Sequence, residues 1–408
     1  MPWANSVALQ LWVTAGPRSE PQATAGLAHF LEHLFFDGTK SYPSNRKLNK
    51  AVEAAGGDID ASTHKEYVVY QIKLPYQNQL RAAEFLYELI FNSLLSKKDV
   101  EKERGIIKQE LKREIDNIES YRWDFILKSL WPENHPLSEN TLGSEASIKT
   151  IQRADLLKYK RKMYNPGNMF LMAAGNFEKK NILDSIKKTF GFLSADKHIP
   201  IFEKIEFQRH HQRPLRVFIE KRREVKQAYI TLSFLTGSSP SHLEIMVLKV
   251  LDIMFQKRIF DFFVYQSGLS YSAFANLWTF KDHSLENITI EVAPEKIKYS
   301  VDKIIEEVKN LDINPESITE AANSLKKILF LNLADTDKFA EFIAEQEWYT
   351  GNIKSPEEMI QEINNVGVSQ IKKLKSQVFK YRNALLTIIG DTTTSQKELE
   401  KILKNLPE

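Results

Sequence analysis

Cysteine is absent from the 408 residues of this chain. Disulfide frameworks, cysteine-ligated zinc, iron–sulfur clusters and thiol nucleophiles are therefore excluded. Any metal site has to be built from the carboxylates and the 9 histidines. The lack of cysteine does not indicate a compartment, because proteins of both the cytosol and the periplasm can do without thiols.

Long apolar runs and an excess of one charge are also missing. No run approaches the roughly 18 apolar residues that a membrane-spanning helix needs. The 56 basic and 53 acidic residues leave a net charge of +3, whereas a nucleic-acid partner calls for a concentrated basic face. We therefore expect no membrane span and no nucleic-acid partner. No signal peptide is recognisable, and the sequence does not distinguish a periplasmic from a cytoplasmic location.

The chain repeats one order of predicted elements. The strand pattern at 7–16 matches 228–237, and the pattern at 164–175 matches 379–390, at offsets of 221 and 215 residues. A repeat of this length indicates two domains of similar design. We predict an α+β fold in which each domain is an antiparallel-rich sheet with helices packed on one face.

The predicted boundaries place a first domain at 1–195, a polar linker at 196–213 and a second domain at 214–408. A strand predicted at 215–220 has no counterpart in the first half. We therefore expect that a preceding strand is missing from the start of this sequence, so that the N-terminus is truncated.

The main chemical feature is His-Phe-Leu-Glu-His at 29–33, inside an apolar pattern that predicts a helix. His29 and His33 stand at i and i+4 and share one helix face, so both imidazoles can bind one ion. Glu32 lies beside His33, where a carboxylate can act as general base next to a metal. A catalytic zinc site usually has three protein ligands, so the third must come from elsewhere.

A long charged helix predicted at 97–117 supplies candidates for that third ligand. The candidates are Glu101, Glu103, Glu110 and Glu114. Glu103 and Glu110 are two turns apart and share a face, and periodicity alone does not choose among the candidates.

The segment 26–39 resembles the signature of the pitrilysin and insulin-degrading-enzyme family, the inverzincins with an H-x-x-E-H motif. The mitochondrial-processing-peptidase-like branch is the most similar. Further landmarks of the family fall at 56–70, 103–110, 135–143, 164–175 and 268–271, so the resemblance covers nearly the whole chain. It implies a zinc metalloendopeptidase with one Zn²⁺ per chain, and two chains that close as a clamshell around a chamber where peptides are hydrolysed.

The resemblance also implies individual roles. Its spacing assigns the third metal ligand to Glu110, and a carboxylate that orients a ligand to Glu103. Glu32 is then the catalytic base. The edge strand that contacts substrate by β-strand addition contains Asp60, Ala61 and Ser62. Asp60 stands where the family usually has Asn, and an ionised Asp accepts hydrogen bonds but cannot donate them.

The second half lacks the metal set. The repeat places 29–33 on 249–253, Lys-Val-Leu-Asp-Ile, and places Glu110 on Lys327 or Ile328. None of these replacements completes a zinc site, so we expect one metal site per chain, in the first domain.

A departure from the family pattern suggests a partner. Active members carry an Arg and a Tyr, seven residues apart in the second half, that bind substrate and stabilise the oxyanion. Tyr271 matches the Tyr and is our second predicted catalytic residue, but Val264 stands at the Arg position. The resemblance therefore implies the metal-bearing subunit of a heterodimer whose homologous partner supplies the Arg/Tyr pair. A homodimer is the alternative, with Arg258 as a weak substitute for the missing Arg.

Two other functions fit the same fold. The chain can be a non-catalytic assembly subunit, like the core subunits of respiratory complexes, or a peptide-binding module that holds peptides without cutting them. Metal analysis separates these possibilities, because an assembly subunit needs no zinc, whereas a peptide-binding module keeps zinc without turnover.

Overall fold

The computed structural model describes residues 1–132, 135–194, 216–236 and 241–408. They form two compact units. The first contains the described residues of 1–121, 133–203 and 331–345, and the second those of 122–132, 204–330 and 346–408. The predicted linker at 196–213 lies outside the described residues, so the predicted domain boundaries stay a prediction. None of the described helices is long and apolar enough to cross a membrane.

Four antiparallel strands form the sheet of the first unit, in the order β2-β3-β1-β4. They are β1 (Ser6–Val13), β2 (Asp58–Thr63), β3 (Val68–Pro75) and β4 (Met169–Gly175). β2 is an outer strand of this sheet, paired with β3 in the register that places Asp60 opposite Gln71. Alternate residues of β1, among them Leu9 and Val13, point into the main core.

Helices cover the inner face of this sheet. They are α1 (Leu27–Asp37), α2 (Asn45–Ala54), α3 (Arg81–Phe91), α4 (Lys97–Asp116), α6 (Glu145–Thr150), α7 (Arg153–Met163) and α8 (Lys179–Phe190). Phe30 and Leu34 of α1 pack into the same core as the sheet, together with Ile107 and Leu111 of α4. The core thus holds α1 and α4, the helices with the predicted metal ligands, in one packed layer.

The second unit repeats this design around a five-stranded sheet, in the order β5-β9-β6-β8-β7. Its strands are β5 (Val217–Glu220), β6 (Ala228–Leu235), β7 (Ala273–Thr279), β8 (Ser284–Val292) and β9 (Ala384–Ile389). Its helices are α9 (His242–Phe260), α10 (Ile297–Lys309), α11 (Pro315–Asn332), α13 (Pro356–Asn364), α14 (Val368–Val378) and α15 (Gln396–Leu403), and α9 continues into a π-helical turn at Asp261–Gln266.

The predicted α+β fold and its internal repeat are confirmed. β1 corresponds to β6, β4 to β9, and α1 to α9, in the same order along the chain. The one parallel pairing of the second sheet is that of β5 with β9. Among the described residues, β5 has no counterpart in the first sheet, where β4 is an outer strand.

Two helices that occupy equivalent places in the two halves of the sequence each belong mainly to the other unit. The predicted domain boundaries did not anticipate this exchange. α5 (Ile118–Leu130) belongs to the first half of the sequence, but its residues from Arg122 onward belong to the second unit. α12 (Thr336–Thr350) occupies the equivalent place in the second half, and its residues up to Glu345 belong to the first unit. Each unit is therefore completed by a helix from the other half of the sequence.

Each exchanged helix covers the outer face of a sheet. In the first unit, Gln10 Nε2 donates to the carbonyl oxygen of Asp337 at 3.2 Å, and Ala340 packs with Ala8 and Ala174. Lys73 pairs with Asp337 at 3.0 Å.

The exchanged part of α5 makes equivalent contacts in the second unit. Trp123 stacks on Trp278 of β7 with ring centroids 4.2 Å apart, and the Arg122 guanidinium lies over the ring of Phe274. Thus the first half of the sequence also supplies the outer cover of the second sheet.

Candidate metal centre

A tightly packed turn positions the start of α1. Gly26 has φ +98°, and a Cβ atom there would lie 2.4 Å from the carbonyl oxygen of Leu142, so this position requires glycine. The buried carboxylate of Glu20 accepts hydrogen bonds from the backbone N–H groups of Gly26, Leu27 and Ala28 at 2.6, 3.3 and 2.7 Å. Burial raises the pKa of Glu20 to about 7, against the effect of these three donors. A buried carboxylate from the preceding turn thus caps the helix that carries His29.

His29 and His33 lie on one face of α1, with ring centroids 4.6 Å apart. Glu110 reaches them from α4. Its Oε2 lies 3.3 Å from His33 Nε2, and its Oε1 lies 3.9 Å from His29 Nε2. The three predicted metal ligands therefore meet, although 77 residues separate His33 from Glu110.

These three side chains fit a zinc ion. One ligand atom from each lies within 4.8 Å of the others, and this is the one such group of three or more found among the described residues. Two imidazoles and a carboxylate are a ligand set that zinc accepts, with the remaining position left for water or substrate. His29 Nδ1 is buried and has no hydrogen-bond partner among the described residues.

The two imidazoles have opposite electrostatic surroundings. Burial, and then the neighbouring His33, lower the pKa of His29 to about 4. Burial also disfavours the charged form of His33, but the hydrogen bonds to Glu103 and Glu110 outweigh it and raise the pKa of His33 to about 9. In the metal-free protein the charged form of His33 is therefore favoured between Glu103 and Glu110.

Glu103 lies one heptad before Glu110 on α4, and it approaches the other side of the same imidazole. Its Oε2 lies 2.9 Å from His33 Nδ1. The Nδ1–H group can then donate to this carboxylate while Nε2 faces Glu110, an arrangement that is common around metal-bound histidines. Glu103 is buried, whereas Glu110 is partly exposed.

The side chain of Glu32 extends from α1 to the end of β2. Its Oε2 accepts a hydrogen bond from Thr63 Oγ1 at 2.5 Å. Burial raises the pKa of Glu32, against the effects of Thr63 and His33. Sequence reasoning did not identify Thr63, although its place two residues after Ala61, on the same side of the predicted substrate strand, was a usable signal.

The predicted substrate-contact residues lie on the same strand. Asp60 and Ser62 are exposed and Ala61 is half-buried. Since β2 is an outer strand, its second edge faces away from the described sheet. Thr63 thus links this edge strand directly to Glu32.

The remaining predicted residue, Tyr271, lies in the second unit, where its side chain is 93% exposed. Val264 lies in the π-helical turn after α9. Arg258, the weak substitute for the missing Arg, is paired through Nε with the buried carboxylate of Glu307. This ion pair occupies Arg258 within its own unit.

The position equivalent to Glu32 in the second unit is Asp252. Its carboxyl group lies next to that of Glu286 of β8, which is almost completely buried. Burial, and then the neighbouring Asp252, raise the pKa of Glu286 well above its usual range. The second unit therefore keeps a carboxyl group at this position, but its neighbour is another acid, whereas Glu32 is hydrogen-bonded to Thr63.

Fold and centre together define a class of protein: two repeated α+β domains, the first of which carries a candidate H-x-x-E-H metal centre. Residues 2–144 match the family described as Insulinase (Peptidase family M16), and residues 150–325 match that described as Peptidase M16 inactive domain. The chain belongs to the M16 insulinase/pitrilysin family of peptidases, which confirms the resemblance seen in the sequence.

Similar proteins span nearly the full length of the chain. An uncharacterized zinc protease of Bacillus subtilis, YmxG, is 27% identical and covers 95% of this chain and 94% of its own. A probable mitochondrial-processing peptidase subunit beta of Arabidopsis thaliana is 25% identical, over 95% of this chain and 75% of its own. The crystal structure of a protease from Helicobacter pylori superimposes with a TM-score of 0.84 at 19% identity, over 94% of both chains, and shares the fold.

Proposed function

We propose that this chain is a zinc-dependent endopeptidase that hydrolyses peptides or unfolded segments bound along β2. The observation that carries the proposal is the meeting of His29, His33 and Glu110 next to Glu32, whose other contact is with the end of the edge strand. The names of the relatives from Bacillus and Arabidopsis agree with it.

His29, His33 and Glu110 would hold the ion, one per chain. Bound zinc supplies Lewis-acid chemistry that lowers the pKa of water toward neutrality and polarises a carbonyl group. Glu103 orients the His33 imidazole through Nδ1.

Glu32 moves the proton. Thr63 occupies Oε2, so Oε1 is the oxygen that takes a proton from the attacking water and then delivers it to the leaving amine nitrogen. The backbone of Asp60, Ala61 and Ser62 binds the extended peptide by β-strand addition, which places a scissile carbonyl beside the base. Main-chain hydrogen bonds give this binding a broad specificity.

Substitution of Glu32 by Gln tests the proposal. Glu32→Gln keeps the shape and the hydrogen bond with Thr63 but removes the base, so about one zinc per chain is expected together with loss of hydrolysis by a factor of 10² or more. Bound zinc is measured by elemental analysis and hydrolysis with quenched fluorescent peptides. Glu53→Gln, at an exposed position of α2, is the matched control and should leave both unchanged. Retained hydrolysis in Glu32→Gln would overturn the assignment.

We further propose that the chain is the metal-bearing subunit of a heterodimer whose homologous partner supplies the Arg/Tyr pair within a closed chamber. Two observations support this: Val264 stands at the Arg position, and Arg258 is paired with Glu307. Tyr271 would then assist only weakly. The purified chain should be weakly active alone, and addition of a homologous chain carrying the pair should restore turnover. Full turnover without any partner would refute the heterodimer.

A further inference from the structure

An ion pair joins the two helices that carry the predicted metal ligands. Asp37 is the last residue of α1, and Lys102 lies on the second turn of α4. Lys102 Nζ lies 2.5 Å from Asp37 Oδ1. The Asp37 carboxylate is only 8% exposed, and its second oxygen has no hydrogen-bond partner among the described residues. Lys102 is thus the cation that compensates this nearly buried charge.

The same ammonium group contacts Glu103. Lys102 Nζ lies 2.9 Å from Glu103 Oε1, while the other oxygen of Glu103 lies 2.9 Å from His33 Nδ1. Asp37, Lys102, Glu103 and His33 therefore form one continuous chain of contacts that ends on the imidazole. Both carboxylate oxygens of Glu103 are engaged, which leaves this side chain little freedom to rotate.

The charges of Asp37 and Glu103 explain why Lys102 is needed between them. Asp37 and Glu103 are two nearly buried carboxylates on either side of a single ammonium group, with side-chain exposures of 8% and 5%. Without Lys102 the two like charges would repel each other in a setting of low effective dielectric. Glu103 would then be drawn away from the position at which it meets His33.

We propose that Lys102 and Asp37 are positioning residues of the metal centre, which hold Glu103 in place and through it orient His33. The inference rests on the proposed function, since it concerns the same ligands. Because Lys102 is 53% exposed, a plain surface ion pair would contribute little to stability and nothing to metal affinity. The two interpretations therefore differ in what they predict for zinc binding.

Zinc affinity is the first measurement, made on the full chain by competition between zinc and a chromophoric chelator. Lys102→Met should weaken binding about tenfold, the lower end of the range for groups that orient a metal ligand. Lys102→Arg keeps the charge and should bind nearly as wild type. Lys112→Met, at an exposed position of the same helix, is the matched control and should change nothing. Asp37→Asn should weaken binding less, and should add little in the Lys102→Met background.

The second measurement does not depend on zinc. In metal-free protein labelled with ¹⁵N-histidine, Lys102→Met should shift the Nδ1–H resonance of His33, whereas Lys112→Met should not. If the wild type binds zinc and Lys102→Met binds it as tightly, with an unchanged His33 resonance, the inference is overturned and the proposed function stands. If the wild type binds no zinc, the proposed function fails, and the His33 resonance still decides whether Lys102 positions this imidazole.

Discussion

Helix α1 of the first unit and helix α9 of the second occupy the same place in the repeat but present different chemistry. α1 has 11 residues and places two imidazoles on one face, next to a glutamate on α4. α9 has 19 residues, runs on into a π-helical turn, and carries Lys249 and Ile253 at the equivalent positions. The core below each helix is of the same kind, because both pack apolar side chains against the inner face of a sheet.

This difference between α1 and α9 shows that the fold does not depend on the predicted metal ligands. At this face the second unit has the neighbouring carboxyl groups of Asp252 and Glu286, where the first has Glu32, imidazoles and Thr63. Packing is thus provided by the repeated layers, whereas chemistry is added by a few polar residues at the face of one helix. Each unit can therefore be altered at this face while the other serves as an internal reference.

The largest expected effect comes from giving α1 the residues of α9. The double substitution His29→Lys with His33→Ile removes two of three predicted ligands, so bound zinc should fall from about one ion per chain to background, and peptide hydrolysis should disappear. Elemental analysis gives the zinc content, and circular dichroism shows whether the helical content is kept.

The reverse exchange sharpens this comparison. Lys249→His with Ile253→His places two imidazoles on α9, but the counterpart of Glu110 is Lys327 or Ile328, so no second zinc ion should bind. A gain of zinc in this variant, or its retention in the first, would mean that the centre is not built from these side chains.

Much of this centre was predictable because its main motif is local. His29, Glu32 and His33 follow from helical spacing. The helix bearing 29–33 and the strand predicted within 7–16 lie where their patterns place them. Periodicity did not choose between Glu103 and Glu110, and the reason is physical. Both reach the same imidazole, one through Nδ1 and the other through Nε2.

What sequence reasoning missed depends on contacts between distant segments. Thr63 and Lys102 act through partners far along the chain. Glu20 reaches α1 from the turn that precedes it, and helical or strand periodicity does not predict such contacts. The exchange of α5 and α12 was missed for the same reason, since a helix carries the same apolar pattern whichever sheet it covers.

The next largest effect is expected from removing the residues that cap α1 and α9. The N-terminus of α1 depends on buried Glu20, whereas Ser241 caps α9 locally, in a capping box with Glu244. Glu20→Ala leaves buried N–H groups without a partner and should cost about 3 kcal/mol, while Ser241→Ala should cost about 1 kcal/mol. Denaturant unfolding measures both. Hydrogen exchange should show the loss of protection in α1 for the first variant and in α9 for the second, and equal costs would contradict a special role for Glu20.

The smallest expected effect is a dependence of the second unit on pH. Burial raises the pKa of Asp252 to about 6, and burial together with Asp252 raises that of Glu286 well above its usual range. Because both folded-state values exceed those of the unfolded chain, the folded pair binds its proton more tightly. Its contribution to stability is therefore complete below pH 4 and is lost as the pH rises through 6 and beyond.

Glu286→Gln isolates this contribution, since the amide keeps the shape and can donate to Asp252 without titrating. Between pH 5 and 8 the wild type should lose a few degrees of melting temperature that the variant does not lose. Hydrogen exchange should place the difference in β8 of the second unit and leave β3 of the first unchanged. A variant with the same pH profile as the wild type would show that Asp252 and Glu286 share no proton, and the two units would then differ only in their metal ligands.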